Sequence, residues 1–439
     1  MKHKKTDIAV IGGGPAGLAA ALKAKQLGIK DVLILERDIE LGGILRQCIH
    51  DGFGLHRFGR RMSGNQYAQV FIDDAERAGI EIKTDTMVLE VTAGKEIYAC
   101  NNKDGMLHIQ AGAVILAMGC RERTASQVLI HGERPAGVLT AGSVQRYINM
   151  EGYLPGNRAV ILGSGDIGLI MARRMTLEGI KVEAVYEVMP TPGGLSRNIA
   201  QCLDDYDIPL RLSATVTQVH GRDRVEAVTI SKVDGKMNPI PGTEKRVECD
   251  LLVLAVGLIP ENELSRGAGI EIDPRTKGPV LDNNFMTSVP GIFAAGNVAV
   301  VFDLVDYVST SGEIAAAGAV EYLNGGLAGG TRVPVTPGEN VGLIVPQFAR
   351  AGSNTTFFLR VKSPEKFAVL QAVSGSSGAG CEKIIFEKKC RYAAPPEMIT
   401  FTIKDVPARS RRPAPPDVPA PPDVPAPIKV AVKREEARE

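Results

Sequence analysis

The stretch IAVIGGGPAGLA, residues 8–19, decides the fold of this chain. The apolar residues 6–11 predict a buried parallel strand, the glycines predict the turn that leaves it, and residues 16–27 predict an alanine-rich helix. A second strand runs through residues 32–35 and ends at Glu36. Strand, turn, helix and strand in this order predict one βαβ unit of a parallel sheet.

The positions of the glycines match the needs of a bound pyrophosphate. Gly12 permits a tight turn, Gly14 lets backbone N–H groups approach a phosphate, and Gly17 permits close contact between helix and strand. The N-terminus of the helix then faces the negative charge. Glu36, at the end of the second strand, is placed to accept hydrogen bonds from ribose hydroxyl groups. We therefore predict a dinucleotide site at this turn.

The same pattern returns 151 residues later as AVILGSGDIGLI, residues 159–170. A helix to about Gly179 follows, and then a strand that ends at Glu187. In both copies the acidic residue stands 19 positions after the third glycine. Glu187 suits a free ribose 2′-hydroxyl and would repel a 2′-phosphate, and no Arg or Lys follows it before Arg197. The second copy therefore predicts an NAD site, with NADP less favoured.

Composition limits the class of protein. Lys and Arg total 51 against 50 Asp and Glu, so the formal net charge is +1 and no global field favours a nucleic-acid partner. No apolar run is long enough to span a bilayer, and we expect a cytoplasmic protein without a transmembrane segment. The seven cysteines include no Cys-x-x-Cys pair, which indicates neither a disulfide framework nor a metal site.

Glycine-ended strands and changes in composition predict the domain layout. Apolar strands that end at Gly119 and Gly257 each close one nucleotide-binding domain. The predicted fold class is α/β, with two Rossmann-like nucleotide-binding domains, one inserted in the other. Residues 1–120 and 263–328 form the first domain and residues 121–262 the second. Residues 338–405 are expected to form a small all-β domain, and residues 406–439 a disordered proline-rich tail.

The chain resembles the pyridine nucleotide–disulfide reductase superfamily over about residues 6–328. The two βαβ units, the glycine-ended strands and the pattern Thr287-x-x-Pro290-Gly291-Ile292-Phe293-Ala294-Ala295-Gly296 carry the resemblance. It implies FAD in the first domain and a nicotinamide cofactor in the second. Superfamily members usually have Asp after this pattern, where it binds the flavin ribityl chain. This chain has Asn297, which accepts and donates hydrogen bonds but brings no charge.

Together the turns and the resemblance assign cofactor contacts to two sets of residues. The FAD set is Gly12, Gly14, Pro15, Ala16, Gly17, Glu36, Arg37, Gly43, Gly119, Gly296 and Asn297. The NAD set is Gly163, Gly165, Asp166, Ile167, Gly168 and Glu187.

The chain lacks a redox pair of cysteines, which narrows the set of activities that the resemblance implies. Disulfide-reducing members pass flavin electrons through a pair of cysteines, and this chain has no such pair. Residues 42–55 are instead similar to flavoproteins that accompany glycerol-3-phosphate or amine dehydrogenases, including the larger subunit of opine oxidases. Residues 134–142 and 303–308 resemble the same group. The resemblance implies an FAD-dependent oxidoreductase that moves electrons between NAD(H) and a partner dehydrogenase subunit or a small acceptor.

Two other functions stay open at this point. Cys48 could be the catalytic thiolate of a single-cysteine NADH oxidase, peroxidase or persulfide reductase, with His50 lowering its pKa, or it could be a packed, inert cysteine. Alternatively the chain is a non-catalytic structural subunit whose β domain and tail dock a partner. Asp303 and Asp306 are expected either near the flavin ring or at the start of a helix.

Overall fold

The protein is described by a computed structural model that covers residues 1–327, 331–375, 383–407 and 427–435. It divides into two compact units. The first comprises Met1–Arg46, His50–Cys120 and Pro260–Glu439, and the second comprises Gln47–Ile49 and Arg121–Ile259. The second unit therefore interrupts the first, which confirms the predicted insertion of one nucleotide-binding domain in the other.

The elements of the described chain follow in chain order. The strands before residue 135 are β1 (Lys2–Ile11), β2 (Val32–Leu35), β3 (Asp51–Phe53), β4 (Met62–Ser63), β5 (Glu81–Lys83), β6 (Thr86–Val91), β7 (Glu96–Asn101), β8 (Gly105–Leu116), β9 (Cys120–Glu122) and β10 (His131–Gly132). The next are β11 (Val138–Thr140), β12 (Arg158–Leu162), β13 (Lys181–Tyr186), β14 (Leu210–Arg211), β15 (Ala214–His220), β16 (Ala227–Lys232), β17 (Lys245–Glu248), β18 (Leu251–Leu254), β19 (Leu258–Pro260) and β20 (Ile292–Ala294). The last are β21 (Arg332–Pro337), β22 (Val341–Val345), β23 (Phe348–Arg350), β24 (Thr355–Val361), β25 (Glu365–Ser374), β26 (Lys383–Ala393), β27 (Ile399–Ile403) and β28 (Ile428–Arg434). The α-helices are α1 (Pro15–Gln26), α2 (Leu55–Phe58), α3 (Gly64–Arg77), α4 (Ala141–Asn149), α5 (Asp166–Leu177), α6 (Ser196–Cys202), α7 (Glu263–Gly267) and α8 (Val305–Leu323). Short 3-10 helices span Gly43–Gln47, Ala125–Val128, Asp204–Tyr206 and Gly296–Val298.

The first unit is built on a sheet with the order β5-β2-β1-β8-β7-β6, and β20 also pairs with β8. Strands β5, β2, β1, β8 and β20 run parallel, and helices α1 and α3 provide the crossovers from β1 to β2 and from β2 to β5. The alanine-rich helices α1 and α8 pack closely against each other. Gly312 allows this contact, since a Cβ atom there would lie 2.2 Å from the carbonyl oxygen of Ala16.

The second unit contains a five-stranded parallel sheet with the order β11-β18-β12-β13-β14. Its central strands β12 and β18 are apolar except for Arg158, and Val160, Ile161 and Leu252 on them are fully buried. A separate sheet, β10-β15-β16-β17, covers part of this core. The second copy of the glycine pattern thus opens a complete parallel α/β domain of its own.

The C-terminal β domain is larger than the sequence predicts. It has the sheets β23-β21-β28-β25-β26 and β22-β24-β27, so it begins at Arg332 and includes residues 428–434. Strand β28 lies between β21 and β25, and Val430 on it is fully buried. The prediction of a disordered tail from residue 406 is therefore wrong for residues 428–434. These residues pair with β21 and β25, and alternate side chains on the strand are buried in the core of the β domain. Residues 408–426 and 436–439 lie outside the described residues.

Within the described ranges, no helix is both long enough and apolar enough to cross a membrane.

Candidate functional site

In the first glycine turn, two glycines lie against neighbouring backbone atoms and a third borders open space. Gly12 leaves β1 with φ +106°, and a Cβ atom on it would lie 2.4 Å from the oxygen of Ala117. A Cβ atom on Gly17 would lie 1.9 Å from the oxygen of Gly12. Around Gly14, by contrast, the nearest atom to such a Cβ is the Cα of Gly43, at 3.9 Å. The backbone at Gly14 therefore borders open space at the start of α1, as a bound pyrophosphate requires.

The second turn repeats this geometry. Gly163 leaves β12 with φ +103°, and a Cβ atom on it would lie 2.2 Å from the oxygen of Ala255. A Cβ atom on Gly168 would lie 2.4 Å from the oxygen of Gly163, whereas one on Gly165 would meet nothing within 4 Å. The same three glycine roles recur at the start of α5, so the second unit carries a second cradle of the same shape.

The acidic residues also occupy matched positions. The Glu36 carboxylate accepts the N–H of Gly13 at 2.6 Å and that of Asp38 at 2.8 Å. The Glu187 carboxylate accepts the N–H of Ser164 at 2.9 Å and that of Met189 at 3.0 Å. A carboxylate has about four acceptor positions, so both acids keep capacity for ribose hydroxyl groups. Each acid is buried and is held against its own glycine turn.

A pair of glycines lies beside each turn, and the sequence predicts a cofactor contact at only one of these four residues, Gly43. The N–H of Gly42 donates to the oxygen of Gly13 at 2.9 Å. The N–H of Gly193 donates to Oγ of Ser164 at 2.8 Å. Gly193 and Gly194 lie 151 positions after Gly42 and Gly43, which is the spacing of the two turns. Extending that constant spacing beyond the acids would have found them.

The remaining predicted FAD residues gather around the start of α1. Gly119 follows β8 with φ +75°, and Gly296 lies so close to α1 that a Cβ atom on it would be 2.7 Å from Cβ of Ala16. Oδ1 of Asn297 accepts the N–H of Phe302 at 3.0 Å, and its Nδ2 lies 3.5 Å from Sγ of Cys120. These residues therefore meet at the carboxyl ends of β1, β8 and β20, where open α/β sheets bind ligands.

The other predicted contacts lie at the helix starts or on the surface. Pro15 is the first residue of α1, and Arg37 is exposed immediately after Glu36. In the second site, Oδ1 of Asp166 accepts the N–H of Leu195 at 2.9 Å and Nδ2 of Asn198 at 2.6 Å. Ile167 is partly buried against the core of the second unit. The Asp166 carboxylate thus holds the segment that follows Gly193 and Gly194 against the second turn.

The family model for the pyridine nucleotide-disulphide oxidoreductases matches residues 6–317, which include both turns. The chain belongs to this family. Members of the family are FAD-dependent oxidoreductases that use NAD(P)H. The cradles, helix starts and acids described above have the shape and the chemistry that two dinucleotides require.

Individual relatives are distant and longer than this chain. The chain is 26% identical over 279 residues to hydrogen cyanide synthase subunit HcnB of Pseudomonas protegens, covering 60% of this chain and 58% of that one. It is 25% identical over 338 residues to one subunit of the opine oxidase of Agrobacterium tumefaciens, covering 72% and 66%. The alpha subunit of sarcosine oxidase from Corynebacterium sp. (strain P-1) matches at 27% over 415 residues, covering 87% and 39%. The chain therefore spans two thirds or less of the length of these family members.

Solved structures of thioredoxin reductases share the fold of this chain. Thioredoxin reductase of T. acidophilum superposes with a TM-score of 0.58 and 25% identity, covering 73% of this chain and 99% of that one. Thioredoxin reductase of Lactococcus lactis, in its FR conformation, gives a TM-score of 0.59 with 20% identity, covering 73% and 99%.

Cys48, which the sequence predicts as a catalytic residue, is buried. Its side chain is 8% exposed, and its Sγ lies 3.8 Å from Oε1 of Gln145. Burial raises the pKa of the Cys48 thiol from 9.0 to about 12. The His50 ring packs against Phe53, with 5.0 Å between the ring centroids. The direction of the pKa shift favours the neutral thiol, which is opposite to the activation that a nucleophilic cysteine needs.

We predict that native Cys48 is nearly inert to iodoacetamide. At about pH 8 a thiol with its ordinary pKa is about a tenth ionised, whereas one with a pKa three units higher is about a thousand times less ionised. Alkylation of Cys48 should therefore be at least about a hundredfold slower in the native chain than in the urea-unfolded chain. Peptide mass spectrometry after timed quenching measures both rates. Similar rates in the two states would instead support a reactive thiolate.

Proposed function

We propose that this chain is an FAD-dependent oxidoreductase that moves electrons between NAD(H) and a partner dehydrogenase subunit or a small acceptor. The observation that carries the proposal is the matched pair of nucleotide sites in a family member without a redox dithiol. Two sites of equal construction provide for two dinucleotides. The lack of a Cys-x-x-Cys pair removes the route by which flavin electrons reach a disulfide substrate.

The first site is the proposed FAD site. Gly14 and the start of α1 would hold the pyrophosphate, and Glu36 would accept the adenosine ribose hydroxyl groups. Asn297 would contact the ribityl chain, because it lies beside Gly296 at the same end of the sheet. When bound, FAD supplies a site that accepts or returns a hydride and passes electrons onward. The protein residues supply the binding and the orientation.

The second site is the proposed NAD site. Gly165 and the start of α5 would hold the pyrophosphate, with the Gly193–Gly194 pair beside them. Glu187 is 7% exposed and its carboxylate is fixed by three donors, including Oγ of Ser164 at 2.6 Å. A fixed, buried carboxylate accepts hydrogen bonds from a free 2′-hydroxyl and repels a 2′-phosphate. This supports NAD over NADP.

The names of the relatives support a partner subunit. Three of them are single subunits of larger enzymes, namely hydrogen cyanide synthase, opine oxidase and sarcosine oxidase. A single-cysteine peroxidase or persulfide reductase that uses Cys48 is less favoured, because burial keeps that thiol protonated. A purely structural role is less favoured because both turns keep the geometry of a binding site.

We predict that NADH reduces the bound flavin of the isolated chain under anaerobic conditions, and that NADPH does so more slowly. The Glu187→Gln substitution should lower the preference for NADH by at least about tenfold, because removing the carboxylate removes its repulsion of the 2′-phosphate. Stopped-flow loss of the visible absorption of oxidised flavin gives both second-order rate constants. The ratio of the two constants cancels any general weakening of the turn.

Glu183→Gln is the matched control for this substitution. Glu183 lies on β13, the strand that ends just before Glu187, and its carboxylate pairs with Nε of Arg158 at 2.6 Å and with Nζ of Lys181 at 2.8 Å. The control should leave the ratio unchanged. Flavin that NADH cannot reduce would contradict the assignment of the second site, and an unchanged ratio in Glu187→Gln would contradict the role of Glu187.

We further predict that the chain isolated by affinity from its own cells carries a second dehydrogenase subunit. Adding that partner's substrate to the isolated complex should reduce the flavin of this chain. If the chain is isolated alone and its NADH-reduced flavin passes electrons to a soluble dye, the small-acceptor form of the proposal holds. If neither a partner nor a small acceptor reoxidises the flavin, the proposal is wrong.

A further inference from the structure

The residues that follow Asn297 form an irregular connection between two helices. We define the flavin segment as residues 297–306, which run from the 3-10 helix Gly296–Val298 into the first turn of α8. Asn297 orients this segment from within, since its Oδ1 accepts the N–H of Phe302 at 3.0 Å. The side chain of Asn297 therefore depends on where Phe302 is held.

The C-terminal β domain holds Phe302 and its neighbours. The ring of Phe358 on β24 packs edge-on against Phe302, with 5.2 Å between centroids, and against Tyr307, with 5.7 Å. Phe358 is 1% exposed and belongs to the hydrophobic core of the first nucleotide-binding domain. A side chain from the β domain thus completes the packing of the flavin segment.

Two hydrogen bonds from the β domain fix the segment on either side of Phe302. Nη2 of Arg360 donates to the carbonyl oxygen of Val301 at 3.3 Å. The backbone N–H of Met398 donates to Oδ2 of Asp303 at 2.8 Å. Polar groups and an aromatic ring of the β domain therefore contact three consecutive residues of the segment, Val301, Phe302 and Asp303.

We infer that the C-terminal β domain is a positioning element of the flavin site, and that Phe358 and the Met398–Asp303 hydrogen bond hold Asn297 in the orientation that contacts the flavin. This inference rests on the proposed role of Asn297 in the first site. It gives the β domain a role inside the chain that is separate from any docking of a partner. Phe358 is a positioning residue, because it acts through Phe302 and Asn297.

Adjacent phenylalanines on β24 provide a matched pair of variants. Phe357 is fully buried like Phe358, but it stacks on Phe401 at 5.1 Å within the core of the β domain itself. Phe357→Leu and Phe358→Leu make the same change in the same strand, in opposite cores. We expect both to lower thermal stability to a similar extent. Only Phe358→Leu should raise the FAD dissociation constant, by about tenfold, and shift the visible spectrum of the bound flavin.

A double-mutant cycle with Asn297→Ala tests the route of this effect. If Phe358 acts through Asn297, Phe358→Leu should change FAD affinity little in the Asn297→Ala background. Equal effects of Phe357→Leu and Phe358→Leu on FAD affinity, or fully additive effects of Phe358→Leu and Asn297→Ala, would overturn the inference. Unchanged FAD affinity in Asn297→Ala would overturn the proposed flavin contact itself, and the inference with it.

The hydrogen bond to Asp303 offers a second test that leaves the core intact. Asp303→Asn keeps an oxygen that accepts the Met398 N–H, whereas Asp303→Ala does not. The full chain with Asp303→Ala should bind FAD more weakly and show a shifted flavin spectrum, and Asp303→Asn should restore both. If Asp303→Ala and Asp303→Asn both match the unmodified chain, the positioning role of this bond is contradicted.

Discussion

A Cβ atom on Gly17 would lie 1.9 Å from the carbonyl oxygen of Gly12, and the first nucleotide-binding domain depends on the absence of that atom. Without it, α1 approaches β1 closely enough to direct its N-terminus at the open space beside Gly14. Gly312 of α8 and Gly296 also pack against Ala16, because they too lack a Cβ atom. The start of α1 is therefore packed tightly against β1, α8 and Gly296, and at each of these contacts a glycine leaves the room that a Cβ atom would occupy.

The second unit meets the same condition with different residues. Gly163 and Gly168 repeat the close approach, and Glu187 repeats the hydrogen bonds that Glu36 makes to its turn. The two copies therefore share both spacing and geometry, and we propose that each recognises the adenosine and pyrophosphate part of a dinucleotide. What separates an FAD site from an NAD site lies outside the turns, and Asn297 beside the first turn is the residue that we propose for this role.

Sequence reasoning succeeded where the information is local. The turns, the acids and the inserted domain could be predicted because each follows from short patterns at fixed spacing. Long-range contacts could not be predicted in this way. Three features depend on parts of the chain that are far apart in sequence. They are the burial of Cys48, the pairing of residues 428–434 with β21 and β25, and the packing of Phe358 against the flavin segment. Gly193 was missed although its signal was local, because the repeat was followed only as far as the acid.

We propose that two copies of one structural unit bind two different dinucleotides. Native mass spectrometry of the full chain, reconstituted with excess FAD and then titrated with NADH, tests it most directly. We expect the chain to retain one FAD and then to take up one NADH, with the NADH step lost in Glu187→Gln at low nucleotide concentration. A chain that binds two FAD molecules, or that retains no FAD, would contradict the account.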